Sequence, residues 1–166
     1  MHSTISIDVA ASPDLVFALA RDVERWDRLL PHYARSRARG RLPDGHLLVD
    51  FIARRPLIGL LGLGLPVTWR AQTWNEPATR RLRFLHVAGA TSGMDVTWRI
   101  EPGPGGHGAR VAIDHDFRPA VPFFAAFVDR FFTRPIAGRT LGTFRAIAEA
   151  LEARESEGRI PTNQST

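Results

Sequence analysis

The sequence has 166 residues, of which 44% are hydrophobic and 23% are charged, as in ordinary globular proteins. It contains no cysteine, which excludes disulfides, thiolate nucleophiles and zinc–sulfur sites. The net charge is +5, and all 22 basic residues are arginine, a bias that a GC-rich coding sequence explains without any function. The alternative is attraction to an acidic partner, but no nucleic-acid-binding signature accompanies the charge, so we expect no nucleic-acid partner.

The length predicts one domain, over residues 1–157, followed by a disordered tail at 158–166. The N-terminus lacks the apolar core of a signal peptide. The longest apolar stretch, residues 56–66, is shorter than the ~20 residues of a membrane span. We therefore expect a cytoplasmic protein with no transmembrane segment.

Residues 3–9 alternate polar and apolar side chains and predict the first strand. Ser12 and Pro13 are typical of a helix start, and apolar residues follow at helical spacing to Val23. The pattern restarts at Asp22 and ends at Pro31, which indicates two short helices.

The chain then alternates strand-like segments with turn residues. The predicted strands span residues 33–41, 46–55, 67–74, 80–87, 94–100 and 109–117. Because the turns are short, these strands should form an antiparallel meander. After Pro119 an apolar stripe at helical spacing, interrupted by Pro135, predicts a long C-terminal helix that covers the sheet.

This element order resembles the START-type superfamily, also called SRPBCC or Bet v 1-like. The resemblance is to its polyketide cyclase/dehydrase (aromatase/cyclase) and coenzyme-Q-binding branch. It rests on the segments 22–33, 69–83 around Asn75-Glu76-Pro77, 93–98 and 136–141. It implies an α+β helix-grip fold, in which about seven curved antiparallel strands wrap around a long C-terminal helix after two short helices follow strand 1.

The resemblance also implies a deep cavity between sheet and helix. In the cyclase branch this cavity folds a carrier-tethered poly-β-ketone and promotes aldol ring closure and dehydration. The alternative is a non-catalytic protein that binds or transports a lipid, quinone or other hydrophobic molecule. A ligand sensor that acts through protein contacts is a third hypothesis, for which the sequence offers no specific feature.

Strand alternation selects the side chains that would line such a cavity. The polar ones are His86, His115 and Thr73, among apolar neighbours. An aldol closure needs a base and an acid, and histidine can serve as either. His86 and His115 are therefore the candidate catalytic residues, unless each only hydrogen-bonds a neighbour in a filled interior.

Tyr33 matches a tyrosine that cyclase relatives place at the pocket, where its hydroxyl could donate to a carbonyl or enolate oxygen. It could equally close the sheet edge. The remaining candidates for substrate binding are mainly apolar or aromatic side chains that could equally be simple core. They are Trp26, Trp69, Thr73, Phe84, Met94, Trp98 and Ile113, together with Arg54 at the presumed mouth.

Two features depart from the cyclase pattern. Thr73 stands where many aromatase/cyclases carry a pocket arginine, which removes a fixed cation that would polarise a carbonyl. The glycine- and leucine-rich segment 57–65 replaces a polar loop and could gate the cavity, touch a membrane surface or pack under the helix.

The sequence predicts no cofactor and no metal, because alternation places Asp114 and Asp116 on the opposite face from His115. The expected partner is a hydrophobic small molecule. An acidic acyl carrier protein is a further candidate, since Arg35, Arg37, Arg39 and Arg41 would share one face of an edge strand.

Overall fold

The computed structural model describes residues 1–56 and 64–158. Its strands are β1 (His2–Val9), β2 (Tyr33–Arg41), β3 (Leu47–Pro56), β4 (Gly64–Glu76), β5 (Arg81–Gly89), β6 (Asp95–Pro102) and β7 (Ala109–Asp116). Its α-helices are α1 (Pro13–Ala20), α2 (Trp26–Leu29), α3 (Pro122–Val128) and α4 (Arg134–Gly158).

All seven strands join one antiparallel sheet in the order β1-β7-β6-β5-β4-β3-β2. Strands β2 to β7 are neighbours in chain order because hairpins connect them. Strand β1 forms one edge of the sheet, next to β7, and α1 and α2 carry the chain from there to β2 at the opposite edge. The predicted α+β helix-grip fold, with two short helices after the first strand, is confirmed.

The short helices begin as the sequence predicts. Ser12 caps α1 by accepting a hydrogen bond from the Leu15 backbone N–H at 3.3 Å. A 3-10 turn at Val23–Arg25 then leads into α2. The far end of α4 holds this region against β1, because Glu149 and Glu152 accept hydrogen bonds from the backbone N–H groups of Ala10 and Ser12.

Pro135 does not break the C-terminal helix. The helical segment runs from Pro122 to Gly158, with a π-helical turn at Asp129–Thr133 between α3 and α4. A proline has no N–H to donate and crowds the carbonyl of the preceding turn. The wider turn just before it accommodates both effects without ending the helix.

Two predicted segments fall largely outside the described residues. Of the segment 57–65, only Gly64 and Leu65 are described, and both already belong to β4. Of the tail 158–166, only Gly158 is described, as the last residue of α4. The assignment of one domain to residues 1–157 stays a prediction.

Trp26 is the centre of the core. Its indole N–H donates to the Ala20 carbonyl at 3.0 Å, so its polar atom is satisfied although the residue is only 3% exposed. Its ring packs against five aromatic side chains, with centroid distances of 5.2–5.9 Å. These five, which come from β2, β3, β5, β6 and α4, are Tyr33, Phe51, Phe84, Trp98 and Phe144.

We expect Trp26→Ala to lower the free energy of unfolding by about 3–5 kcal/mol, because the change leaves a cavity where the sheet and α4 meet. Trp74→Ala is the matched control. Trp74 is half-buried and stacks on His46 with a centroid distance of 4.3 Å, so its loss should cost about 1 kcal/mol. Urea denaturation of both variants measures the difference, and equal losses would show that Trp26 is not the centre of the core.

Candidate functional site

A cavity lies between the concave face of the sheet and the start of α4. The cavity volume is about 80 Å³, and the cavity opens to solvent at its mouth. Most of its wall is apolar, and its polar groups come from a few histidine, threonine and tyrosine side chains. This combination is typical of a site for a hydrophobic small molecule.

Nine of the eleven predicted site residues line this cavity. They are Trp26, Tyr33, Trp69, Phe84, His86, Met94, Trp98, Ile113 and His115. The structure does not bring the other two there. Thr73 is buried next to β3, where its hydroxyl lies 3.4 Å from the Leu47 carbonyl, and the side chain of Arg54 is exposed.

The aromatic residues give the cavity one flat wall. Trp69 lies between Phe51, its cross-strand partner on β3, and His86 on β5, which pairs with Ala71. The rings of Phe51 and Trp69 are inclined by 16°, and those of Trp69 and His86 by 20°, so the three form a nearly parallel row. A planar ligand could lie against such a row.

Backbone geometry explains how Trp69 comes to face the cavity beside β5. Trp69 pairs with Gly89, and a register shift follows between Arg70 and Ala71. Gly89 has a φ of +97°, and a Cβ atom there would lie 2.5 Å from the Thr68 carbonyl oxygen. Only glycine allows the two strands to approach this closely, so Gly89 helps to position the wall.

His86 is held by the turn that joins β5 to β6. Its Nδ1 lies 2.7 Å from the Thr91 hydroxyl oxygen. Burial, and to a smaller extent the nearby His115 ring, lower the pKa of His86 to about 3. At neutral pH the ring is therefore uncharged, and His86 does not supply the cation that is missing at Thr73.

His115 comes from β7, on the other side of β6. Burial lowers its pKa to about 4, although the Asp129 carboxylate acts in the opposite direction. Asp129 lies in the π-helical turn, where it accepts hydrogen bonds from the Ser3 hydroxyl and from Arg134, each at 2.7 Å. His86 and His115 therefore bring two neutral imidazoles to one cavity.

Thr140 organises a second polar group at the start of α4. Its hydroxyl donates to the Ile136 carbonyl at 2.8 Å, so its oxygen accepts from His32 Nε2, 2.9 Å away. The contact with Thr140 fixes His32 as the neutral Nε2–H tautomer, and burial lowers its pKa to about 4. Burial raises the pKa of Tyr33, which keeps its hydroxyl protonated as a potential donor.

The polar residues that α4 and the turns supply were not among the predicted site residues. Thr91, Thr133 and Thr140 line the cavity, as do Phe51, Val67, Val96, Phe132, Ile136 and Ala137. A signal for the helical ones was available, because Thr133, Ala137 and Thr140 recur at helical spacing on the apolar stripe. Thr91 carries no such signal, since its position depends on how the turn folds back on His86.

In residues 1–56 and 64–158, no group of three or more His, Asp or Glu side chains could hold a metal ion. None of the described helices is long and apolar enough to cross a bilayer.

Comparison with known proteins identifies the relatives of this chain. The family model described as polyketide cyclase/dehydrase and lipid transport matches residues 9–140. No curated protein matches the sequence significantly.

Among solved structures, the chain is similar to the Zhui aromatase/cyclase from Streptomyces sp. R1128, with 18% identity over 90% of this chain and 93% of that one and a TM-score of 0.71. The di-domain aromatase/cyclase BexL from the BE-7585A biosynthetic pathway is 23% identical over 88% of this chain and 45% of its own length, with a TM-score of 0.66. A START superfamily protein from Mycobacterium smegmatis is 20% identical over 94% of this chain and 97% of that one, with a TM-score of 0.56. At these identities the likeness establishes the fold.

The buried histidines make stability depend on pH. The pKa values of His32, His86 and His115 lie below the ordinary value of 6.5 in the folded state, so the unfolded chain binds more protons between about pH 6.5 and 4. We expect the free energy of unfolding to fall through this window as the pH is lowered, by at most about 1.4 kcal/mol per pH unit for each ring. Denaturant titrations from pH 7 to pH 4 measure this slope.

His115→Phe should reduce the pH dependence of the free energy of unfolding by the contribution of one proton, at most about 1.4 kcal/mol per pH unit. His107→Gln, at an exposed position, should leave it unchanged. If His115→Phe left the slope unaltered, His115 would not be a neutral buried group.

Proposed function

Because this chain belongs to the polyketide cyclase/dehydrase and lipid transport family, we propose that it binds a poly-β-ketone in its cavity and promotes aldol cyclisation and dehydration. One observation carries the proposal: two uncharged imidazoles, His86 and His115, line the same apolar cavity. Two neutral imidazoles together offer a lone pair that accepts a proton and an N–H that donates one.

In the proposed reaction, His86 takes a proton from a methylene group that lies between two carbonyls. The Thr91 hydroxyl oxygen, 2.7 Å from Nδ1 of His86, can accept a hydrogen bond from the Nδ1–H. In that tautomer the lone pair that takes the proton is on Nε2. The resulting enolate carbon forms a bond to a second carbonyl carbon of the same chain, and the oxygen of that carbonyl becomes an alkoxide. The alkoxide takes up a proton, and loss of water then gives the unsaturated ring, so no external reactant is consumed.

His115 and Tyr33 would act on the oxygen atoms. An N–H of His115 can donate a hydrogen bond to the carbonyl that is attacked, and protonated His86 then gives its proton to the alkoxide. In the dehydration step His86 takes the second proton of the same methylene and returns it to the departing hydroxide, which leaves as water. The Tyr33 hydroxyl stays protonated because burial raises its pKa, so it is a further donor for an enolate oxygen. The row of Phe51, Trp69 and His86 rings would hold the chain flat.

A second candidate function is non-catalytic binding or transport of a lipid, quinone or other hydrophobic molecule. A specific observation favours it, because no arginine is among the described residues that line the cavity and both histidines are neutral. In this case His86 and His115 would only hydrogen-bond a polar group of the cargo.

The cyclase proposal includes an acidic acyl carrier protein as a partner. Arg35 and Arg37 are exposed on the edge strand β2, which supports such a contact. The four arginines of β2 do not form one regular row, because the register shifts between Ala38 and Gly40 and Arg39 pairs with Asp50 at 2.5 Å.

Replacement of the two histidines separates the candidate functions. We expect His86→Phe and His115→Phe each to slow cyclisation of a carrier-tethered poly-β-ketone by about 100-fold or more, because each removes a proton-transfer group. The affinity for a planar aromatic product should change by less than about threefold, since the apolar wall remains. The matched control is His46→Phe, at a histidine that stacks on Trp74 and does not line the cavity.

If conversion were absent in the wild type and both changes altered only affinity, the protein would be a carrier. Native mass spectrometry of protein purified from its producing cell distinguishes the same two cases, because a phospholipid, quinone or isoprenoid in the cavity would favour transport.

The rate of cyclisation should have an unusual pH dependence. A base must be deprotonated to act, and the pKa of His86 is about 3, so we expect no inflection near the ordinary histidine value between pH 5 and 8. Single-turnover rates measured across this range test the expectation. An inflection near pH 6.5 would show that the base is another group or that His86 is not buried during turnover.

A further inference from the structure

The segment that precedes α4 exposes an apolar surface beside the cavity. Phe123 is 87% exposed, Val121 59%, Phe127 49% and Phe124 37%. Such large apolar side chains are normally buried, and an exposed contiguous group of them marks a surface that binds something. We name this surface the phenylalanine face; it comprises Val121, Phe123, Phe124, Phe127 and Phe131.

The members of the phenylalanine face are contiguous. The rings of Phe124 and Phe127 stack with a centroid distance of 6.5 Å, and those of Phe127 and Phe131 lie 5.0 Å apart. On the inner side of the same helix, Ala125 and Val128 are buried. The helix is therefore amphipathic in the sense of an interfacial helix, with one side packed on the protein and one side presented outward.

The segment that carries the phenylalanine face has a small excess of positive charge. From residue 116 to residue 134 the sequence has three arginines and two aspartates. Both aspartates are already paired, Asp116 with Arg118 at 3.3 Å and Asp129 with Arg134 at 2.7 Å. Arg118 and Arg130 are exposed, and because each ion pair is neutral, Arg130 leaves this segment with a net charge of +1.

We propose that the phenylalanine face docks on the surface of an anionic lipid bilayer. Phenylalanine rings that enter the interfacial region leave water, and arginines at the border contact lipid phosphates. A second copy of this chain suits the surface less well, because a two-fold contact would bring the arginines of both copies together. An acidic protein would neutralise the arginines, but contact with charged side chains would not explain why Phe123 is 87% exposed.

Docking in this way would bring the cavity to the membrane. The Phe127 ring contacts Phe132 with a centroid distance of 5.7 Å, and Phe132 and Thr133 line the cavity. A hydrophobic molecule could therefore pass between the bilayer and the cavity without crossing water. The inference holds whether the molecule is cyclised or only carried, so it does not depend on the proposed reaction.

The test is co-flotation of the full chain with vesicles of phosphatidylcholine and phosphatidylglycerol in a 7:3 ratio, a composition chosen to carry a negative surface of about physiological density. We expect binding that weakens at high salt and is much lower on pure phosphatidylcholine. The double variant Val121→Ser, Phe123→Ser removes the two most exposed side chains and should bind on the order of tenfold more weakly. Because both are exposed, the variant should keep the thermal midpoint of the wild type.

Val87→Ser is the matched control, because Val87 is 37% exposed on β5 and lies outside the phenylalanine face. It should bind as the wild type does. Equal flotation of the wild type and the double variant would overturn the proposal. A wild-type dimer that the double variant converts to a monomer, seen by light scattering without vesicle binding, would also overturn it and assign the face to a second copy.

Discussion

The packing of Trp26 is the constraint on which the rest of the structure depends. The sheet curves around a helix, and side chains have to fill the space between them wherever the cavity does not lie. Trp26 fills much of that space, because its ring reaches four strands and α4 from a helix only four residues long. The hydrogen bond from its indole N–H to the Ala20 carbonyl, at the end of α1, fixes the orientation of the ring. What remains beyond this ring is the cavity.

Threonine hydroxyls that line the cavity hold two of the histidines in and beside it. Thr91 holds His86 from a hairpin turn, and Thr140 holds His32 from α4. Asp129 reaches the neighbourhood of His115 while it is bound to Ser3 and Arg134. His86 and His32 are each held by a threonine hydroxyl, whereas Asp129 acts on His115 only through its charge. The rings of His86 and His32 can therefore be neutral and still have defined orientations, which a purely apolar wall would not provide.

Much of the fold could be predicted from the sequence, because its signals are local. Alternation marked the strands, Ser12 marked the first short helix, and the stripe after Pro119 marked the C-terminal helix. Alternation also selected the inward faces of the strands, which placed seven of the nine candidates at the cavity, while Tyr33 came from the family resemblance and Trp26 lies on α2. Thr73 satisfies the same alternation and is buried, but it lies too far along β4 to reach the cavity. The π-helical turn and the fold-back of Thr91 depend on tertiary packing, so no local pattern indicates them.

The π-helical turn has a consequence for how this segment can change in evolution. It is equivalent to one residue inserted into an α-helix. Removal of one residue between Asp129 and Thr133 would restore regular α-helical geometry and rotate the segment before it by about 100° relative to α4. Such a rotation would turn buried Ala125 and Val128 away from the protein. The length of the turn is therefore a constraint of its own, separate from the roles of the individual side chains in it.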